Sequence, residues 1–318
     1  MTPIFVSAEE VARLLPYEAC IPLMRDAMIA LSEGRTRQLL RSILDLPQGR
    51  AFGVMPGAML DDGSFGAKLI SVYPENFAQG GPSHQGVVVM FDPATGAPAA
   101  VLEAGEITAI RTAAASAAAT DALARADATR LAVLGYGEQA WRHVEAIRVV
   151  RPLAQVTVWG RSAERAEAFA GRVRATGLAA TAAPTAREAV AEADIVCTVT
   201  AAPEPILLGE WVPDGAHVNA VGSSRAGPVE IDHALVVRAR FFADHRDGVL
   251  AQGAEFLRAK AAGLIGDDHV LGEIGEVMSG RVPGRLGDRD VTIYKSLGSI
   301  VQDLAAARHI VAKLRGAG

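Results

Sequence analysis

Lys68 interrupts an otherwise apolar run, Gly66-Ala-Lys-Leu-Ile-Ser-Val72. A lysine in such a run either points from a solvated face of its strand or is desolvated, and desolvation lowers its pKa. Two arginines also sit among apolar or small neighbours: Arg41 in Leu39-Leu-Arg-Ser-Ile-Leu44 and Arg111 in Thr108-Ala-Ile-Arg-Thr-Ala-Ala. A planar guanidinium grips a carboxylate through two parallel hydrogen bonds and so fixes the carbon next to it. A structural salt bridge is the alternative for each arginine, and Arg35 or Arg37 can stand in for Arg41.

A second kind of chemistry is written in Leu131-Ala-Val-Leu-Gly-Tyr-Gly-Glu-Gln-Ala140. An apolar strand breaks into Gly135-x-Gly137-x-x-Ala140 and continues as a helix through Val150. Gly135 allows a tight turn, Gly137 lets backbone approach a pyrophosphate, and Ala140 permits close packing of helix on strand. The helix start, with Glu138 and Gln139, then offers unbonded N–H groups to phosphate. A second strand, Gln155-Val-Thr-Val-Trp159, follows at the spacing of a dinucleotide fold and ends in Gly160-Arg-Ser-Ala-Glu-Arg165. No carboxylate stands at that strand end to bind the 2′-hydroxyl of NAD. Arg161, Ser162 and Arg165 instead offer two guanidiniums and a hydroxyl to the 2′-phosphate of NADP, which favours NADPH over NAD. Ordinary solvated surface arginines are the alternative.

These residues need positioning elements. Ser7-Ala-Glu-Glu10 has the spacing of a capping box and opens a first helix to Leu15; a second covers Tyr17 to Leu31. Leu40–Leu44, Ala67–Val72, Gly86–Phe91 and Ala99–Leu102 read as strands of one antiparallel or mixed sheet, with a turn at Asp92-Pro-Ala-Thr-Gly96. An alanine-rich helix covers 109–124. Beyond it strands and helices alternate: strands 130–134, 155–159, 179–182, 194–199, 216–221 and about 240–244, helices 138–150, 163–176 and 186–192. This alternation predicts a doubly wound parallel sheet. A strand at 291–294 precedes a last helix from Gly298 to Leu314. The fold class is therefore α/β, a Rossmann domain over 127–295 joined to an α+β domain over 1–126.

The chain has 318 residues, room for two cores, and a net charge of −5, which argues against nucleic acid or an anionic membrane as partner. Its two cysteines, Cys20 and Cys197, suggest neither a disulfide framework nor a metal cluster, and point to a reducing cytoplasm. The first residues lack the basic and apolar regions of a secretory signal. The alanine-rich segment is broken by Arg111 and Asp121 and reads as a packed helix rather than a membrane span.

Several motifs in one order extend from Ser7 to Lys313: Gly66-Ala-Lys-Leu-Ile70, Pro82-Ser-His-Gln85, Ile107-Thr-Ala-Ile-Arg-Thr-Ala-Ala-Ala115, Leu134-Gly-Tyr-Gly-Glu-Gln-Ala140, Gly209-Glu-Trp-Val212, His217-Val-Asn-Ala-Val-Gly222, Gly272-Glu-Ile-Gly-Glu276 and Tyr294-Lys-Ser-Leu-Gly298. In these the chain resembles the ornithine cyclodeaminase/μ-crystallin family. The resemblance implies a homodimer whose first domain supplies the subunit interface and the substrate site, with the last helix, within 296–318, returning to that domain. It implies chemistry at the α-carbon of an amino or imino acid, Lys68 being the catalytic residue that gives or takes a proton at the substrate nitrogen. Arg41 and Arg111 are then the substrate carboxylate ligands. Ser83 and His84 correspond to positions facing the cofactor, as does Ser296. Thr200 and Ala201 should border the adenosine or pyrophosphate, and Val221 and Ser223 the nicotinamide ribose, since ligands of open α/β sheets bind outside strand C-terminal ends.

The cyclodeaminases of the family carry an aspartate shortly after the glycine matching Gly222. Here the run is Gly222-Ser-Ser-Arg-Ala-Gly-Pro228, with Ser224 at that place, and a neutral hydroxyl cannot serve as the same acid or base. The expectation is an NADPH-dependent reductase of a cyclic ketimine such as Δ1-pyrroline-2-carboxylate or Δ1-piperideine-2-carboxylate. Ornithine cyclodeaminase, an alanine dehydrogenase-like reductase of open-chain imino acids, and a dinucleotide-dependent binding protein are the alternatives.

Overall fold

The computed structural model describes residues 2–79, 81 and 84–316, with 77–79 and 84 described by their backbone alone. The chain divides into two compact units, Met1–Arg111 with Ser299–Gly318, and Thr112–Gly298.

The first unit opens with strand β1 (Ile4–Val6), helix α1 (Ala8–Leu14) and helix α2 (Tyr17–Ser32). The capping box forms at α1: the Ser7 hydroxyl accepts from the Glu10 N–H at 3.3 Å, and the Glu10 carboxylate accepts from the Ser7 N–H at 2.9 Å. Strands β2 (Thr36–Gln38), β3 (Ser42–Leu46), β4 (Arg50–Met59), β5 (Phe65–Val72), β6 (His84–Phe91) and β7 (Pro98–Glu103) follow, and helix α3 (Ala104–Leu123) leaves the sheet. The order is β1-β7-β6-β5-β4-β2, with β3 beside β4; β1 pairs parallel to β7 and every other pairing is antiparallel.

Two features of this sheet differ from the sequence expectation. The strand read at Leu40–Leu44 lies at Ser42–Leu46, so Arg41 precedes it. Between it and β5 runs the ten-residue β4, whose Gly53, Pro56 and Gly57 hide its alternation. Pro56 fits inside a paired strand because its carbonyl, and hence its missing donor, faces the break between β2 and β3, where Leu39 N–H reaches it at 3.4 Å.

In the second unit the strands are β8 (Arg130–Leu134), β9 (Gln155–Trp159), β10 (Ala179–Ala182), β11 (Ile195–Thr198), β12 (His217–Ala220), β13 (Arg240–Ala243), β14 (Val270–Glu273) and β15 (Thr292–Lys295). Helices α4 (Glu138–Val150), α5 (Ala163–Arg174), α6 (Ala186–Val190), α7 (His233–Arg238), α8 (Arg246–Gln252), α9 (Ala254–Ala261) and α10 (Ile274–Met278) connect them. All pairings are parallel, in the order β10-β9-β8-β11-β12-β15-β13-β14. The direction of winding reverses between β8 and β11, the switch point where ligands bind in doubly wound sheets. The alanine-rich helix is longer than the sequence suggested, starting at Ala104, and the first stretch of the first compact unit ends within it at Arg111. Its alanines 113–115 and 117–119 are fully buried, which explains their size.

The chain ends with helix α11 (Ile300–Leu314), which packs on β4, β5, β6 and α2 of the first unit. Among the described residues no helix is long and apolar enough to cross a membrane.

Candidate active site

Strand alternation puts Lys68 on the face of β5 that α11 covers, opposite Met55 of β4 and Val88 of β6. Its side chain is 3% exposed. The solvated-face alternative is therefore excluded. The ammonium donates to the Thr108 hydroxyl at 2.9 Å and to the Asp303 carboxylate at 3.3 and 3.4 Å. Burial drives the Lys68 pKa down to about 8; Asp303 pulls it back up, while Arg111 and Arg41 push it down further.

Arg111 lies one turn along α3 from Thr108. Its Nε donates to Asp303 at 3.0 Å and its Nη1 to the Gln302 side-chain carbonyl at 2.8 Å, both partners being fully buried. Neither contact uses Nη2. Arg41 lies in the segment between β2 and β3, and its charge reaches Lys68. One buried carboxylate thus gathers an ammonium and a guanidinium, with a second guanidinium nearby. Lys68 and Arg111 share the single carboxylate of Asp303, an arrangement that can accept a carboxylate-bearing ligand.

The sequence alone assigned no role to Asp303, Gln302 or Thr108. Asp303 had one sequence signal: it is the single acid in the last helix, Ile300–Leu314.

In the second unit Gly135 has φ 131°, and a side chain there would strike the Val199 carbonyl. Gly137 caps α4 without any side-chain bond and has open space around it, while Ala140 is buried against the sheet. Glu138 and Gln139 form the first turn of α4. This end of the helix can hold a pyrophosphate on its N–H groups. Gly160 is held by its neighbour: a Cβ there would lie 2.2 Å from the ring of Tyr136. Arg161 and Arg165 are exposed, and their guanidiniums have no partner among the described residues. Ser162 caps α5 by accepting from the Arg165 N–H at 3.2 Å.

At the ends of β11 and β12 the picture is more occupied than expected. The Thr200 hydroxyl and N–H donate to Glu230 at 2.7 and 2.6 Å, and the Gly222 N–H donates to its other oxygen at 2.7 Å. Burial pushes the Glu230 carboxyl above the usual range despite the pull of those donors. Ala201 is exposed, Val221 is 8% exposed and Ser296 is buried. The Ser223 hydroxyl is taken up inside the fold, bonded to Glu255 and, at 2.6 Å, to the Lys295 ammonium. Burial would raise the Glu255 carboxyl, but Lys295 at 2.7 Å holds it below its ordinary value. Ser83 lies outside the described residues; His84 opens β6, and its side chain lies outside them too.

The family model of the ornithine cyclodeaminase/mu-crystallin family matches residues 1–318. The chain belongs to that family. The ketimine reductase mu-crystallin of Mus musculus is 38% identical over 311 residues, covering 96% of each chain. Among solved structures, this member of the ornithine cyclodeaminase/mu-crystallin family is similar to the Thermococcus litoralis Δ1-pyrroline-2-carboxylate reductase in complex with NADH and L-proline. The TM-score is 0.94 and the identity 30%, with 98% of each chain covered. An archaeal alanine dehydrogenase dimer with bound NAD aligns with a TM-score of 0.93 at 28% identity, covering 100% of this chain and 98% of that one.

Proposed function

We propose that this protein is an NADPH-dependent reductase of a cyclic ketimine, converting a substrate such as Δ1-pyrroline-2-carboxylate or Δ1-piperideine-2-carboxylate to the L-imino acid. The observation that carries this reading is the buried Lys68 ammonium beside Arg111 and Asp303, a proton donor placed next to a carboxylate ligand. Arg111 and Arg41 hold the substrate carboxylate and thereby fix its α-carbon. Lys68 donates a proton to the imine nitrogen, which makes the C=N carbon a better electrophile. When bound, the reduced nicotinamide supplies the hydride that this carbon accepts. The product gains one C–H and one N–H bond, and solvent returns the proton to Lys68.

The names of the mouse and Thermococcus relatives support an imine substrate. The dinucleotide would lie on Gly135, Gly137 and the first turn of α4, bordered by Thr200, Ala201, Val221 and Ser296, while the Ser223 hydroxyl is held by Glu255 and Lys295. Ser83 and His84 are proposed to face it. Support for NADPH comes from the chain itself: Arg161 and Arg165 are exposed and unpaired among the described residues, with Ser162 between them, and no carboxylate ends β9. A homodimer is supported by β3, exposed along most of its length with Ile43 and Leu44 facing water, and by the dimeric archaeal neighbour. The two free, buried cysteines accord with a reducing cytoplasm.

Lys68→Met tests the assignment. Loss of kcat by at least about 100-fold, the scale of general-acid catalysis, with dinucleotide binding retained, is expected; near-normal turnover contradicts it.

A further inference from the structure

We propose that Asp303 is the positioning residue that keeps Lys68 protonated and aimed, leaving one ammonium N–H for the substrate nitrogen. This rests on the imine-reductase reading of the same site.

The hydrogen bonds of the Lys68 ammonium leave one donor unused. The Thr108 hydroxyl gives its own proton to the Ala104 carbonyl at 2.6 Å, so toward Lys68 it can only accept. That contact therefore consumes one N–H of Lys68. Asp303 takes a second, with both of its oxygens within 3.4 Å of Nζ. An ammonium has three donors, and the third remains.

The charges around Lys68 make Asp303 decisive. Its neighbours across the sheet, Met55 and Val88, are apolar. From α3 it faces Thr108 and Arg111, from the segment before β3 the charge of Arg41, and from α11 Asp303 itself. With Asp303 neutralised, the buried Lys68 and Arg111 lose the carboxylate they share, and Lys68 is the one that can release a proton, since arginine does not. The same carboxylate also holds Arg111, so one anion orients the proton donor and the carboxylate ligand together. The Gln302 amide fixes the far side of Arg111, and its own Nε2 is buried with no partner among the described residues.

The chain has only four lysines, at 68, 260, 295 and 313, so a lysine-selective ¹³Cε label gives a spectrum in which Lys68→Met identifies the Lys68 signal. In the wild-type chain that signal should titrate near pH 8. In Asp303→Asn it should titrate lower by roughly 1–3 units, the effect of an opposite charge at this range. Asp303→Glu keeps the charge and should leave the titration within about one unit of wild type. In catalysis the protonated lysine is the active form, so kcat/KM falls as pH rises through its pKa. Asp303→Asn should move that fall to lower pH by the same interval as the NMR titration.

An unchanged Lys68 titration in Asp303→Asn overturns the proposal. If that variant does not fold, a downward shift of more than about one unit in Asp303→Glu, which retains the anion, overturns it instead. The NMR titration needs no turnover. Failure of every imine as a substrate would therefore remove the reductase reading, while the titration still decides whether Asp303 sets the charge on Lys68.

Discussion

Arg111 shows how little room single residues leave at the substrate half of the site. Two of its nitrogens are bound to Asp303 and Gln302, so the guanidinium is fixed before any ligand arrives. A lysine at this position keeps the charge but loses the planar fork and both anchors at once. Arg111→Lys should raise KM for an imino acid by about tenfold or more, a cost of at least ~1.4 kcal/mol in ligand binding. Dinucleotide affinity should remain unchanged. Steady-state kinetics with each substrate varied separately checks this; an unaltered KM would show that the carboxylate is held elsewhere. Lys68 and Arg111 were legible in the sequence because a cation inside an apolar or small-residue run needs an explanation. Asp303 was not, because its partners lie 235 and 192 positions away and only the fold brings them together. Glu230, Glu255 and Lys295 were missed for the same reason: each is a charge made tolerable by a partner that sequence spacing does not reveal.

Elements explain why the dinucleotide half could be read so much further ahead. A strand, a glycine turn and a helix are contiguous in sequence, so the spacing of Gly135, Gly137 and Ala140 specifies local backbone directly. The β9–α5 corner is equally local. There Gly160 accommodates the Tyr136 ring, and Arg161 begins the turn into α5. Because Arg161 makes no ion pair among the described residues, its removal should cost little stability. Arg161→Asp should weaken NADPH by about 10-fold or more, each lost charge-assisted contact being worth ~1.5–3 kcal/mol, while NADH changes little or improves. Comparison of kcat/KM for the two reductants measures this, and an unaltered preference would leave the cofactor assignment without support. In contrast, β4 escaped the sequence reading entirely. Its proline and two glycines mimic a loop, and the break in β2–β3 pairing that admits Pro56 is a property of the sheet.

At the scale of the whole molecule, β3 is an edge strand that presents exposed apolar side chains. Leu44 is 61% exposed, its cross-strand partner Phe52 36%, and Leu39, just before the strand, 70%. A hydrophobic edge strand of this kind invites pairing or coverage by another surface. If a second copy covers it, Leu44→Asp should shift the protein from about two chains to one in light scattering while leaving its circular dichroism unchanged. A dimer that survives this change would place the subunit interface elsewhere.

We propose that this chain reduces a carbon–nitrogen double bond next to a carboxylate. The most direct measurement is the loss of reduced-cofactor absorbance with Δ1-pyrroline-2-carboxylate and Δ1-piperideine-2-carboxylate, each with NADPH and with NADH, run beside ornithine with catalytic NAD. Oxidation of NADPH by at least one cyclic imine, faster than that of NADH and without ammonia release from ornithine, is the predicted result. Inert imines together with ammonia and proline formed from ornithine would contradict it.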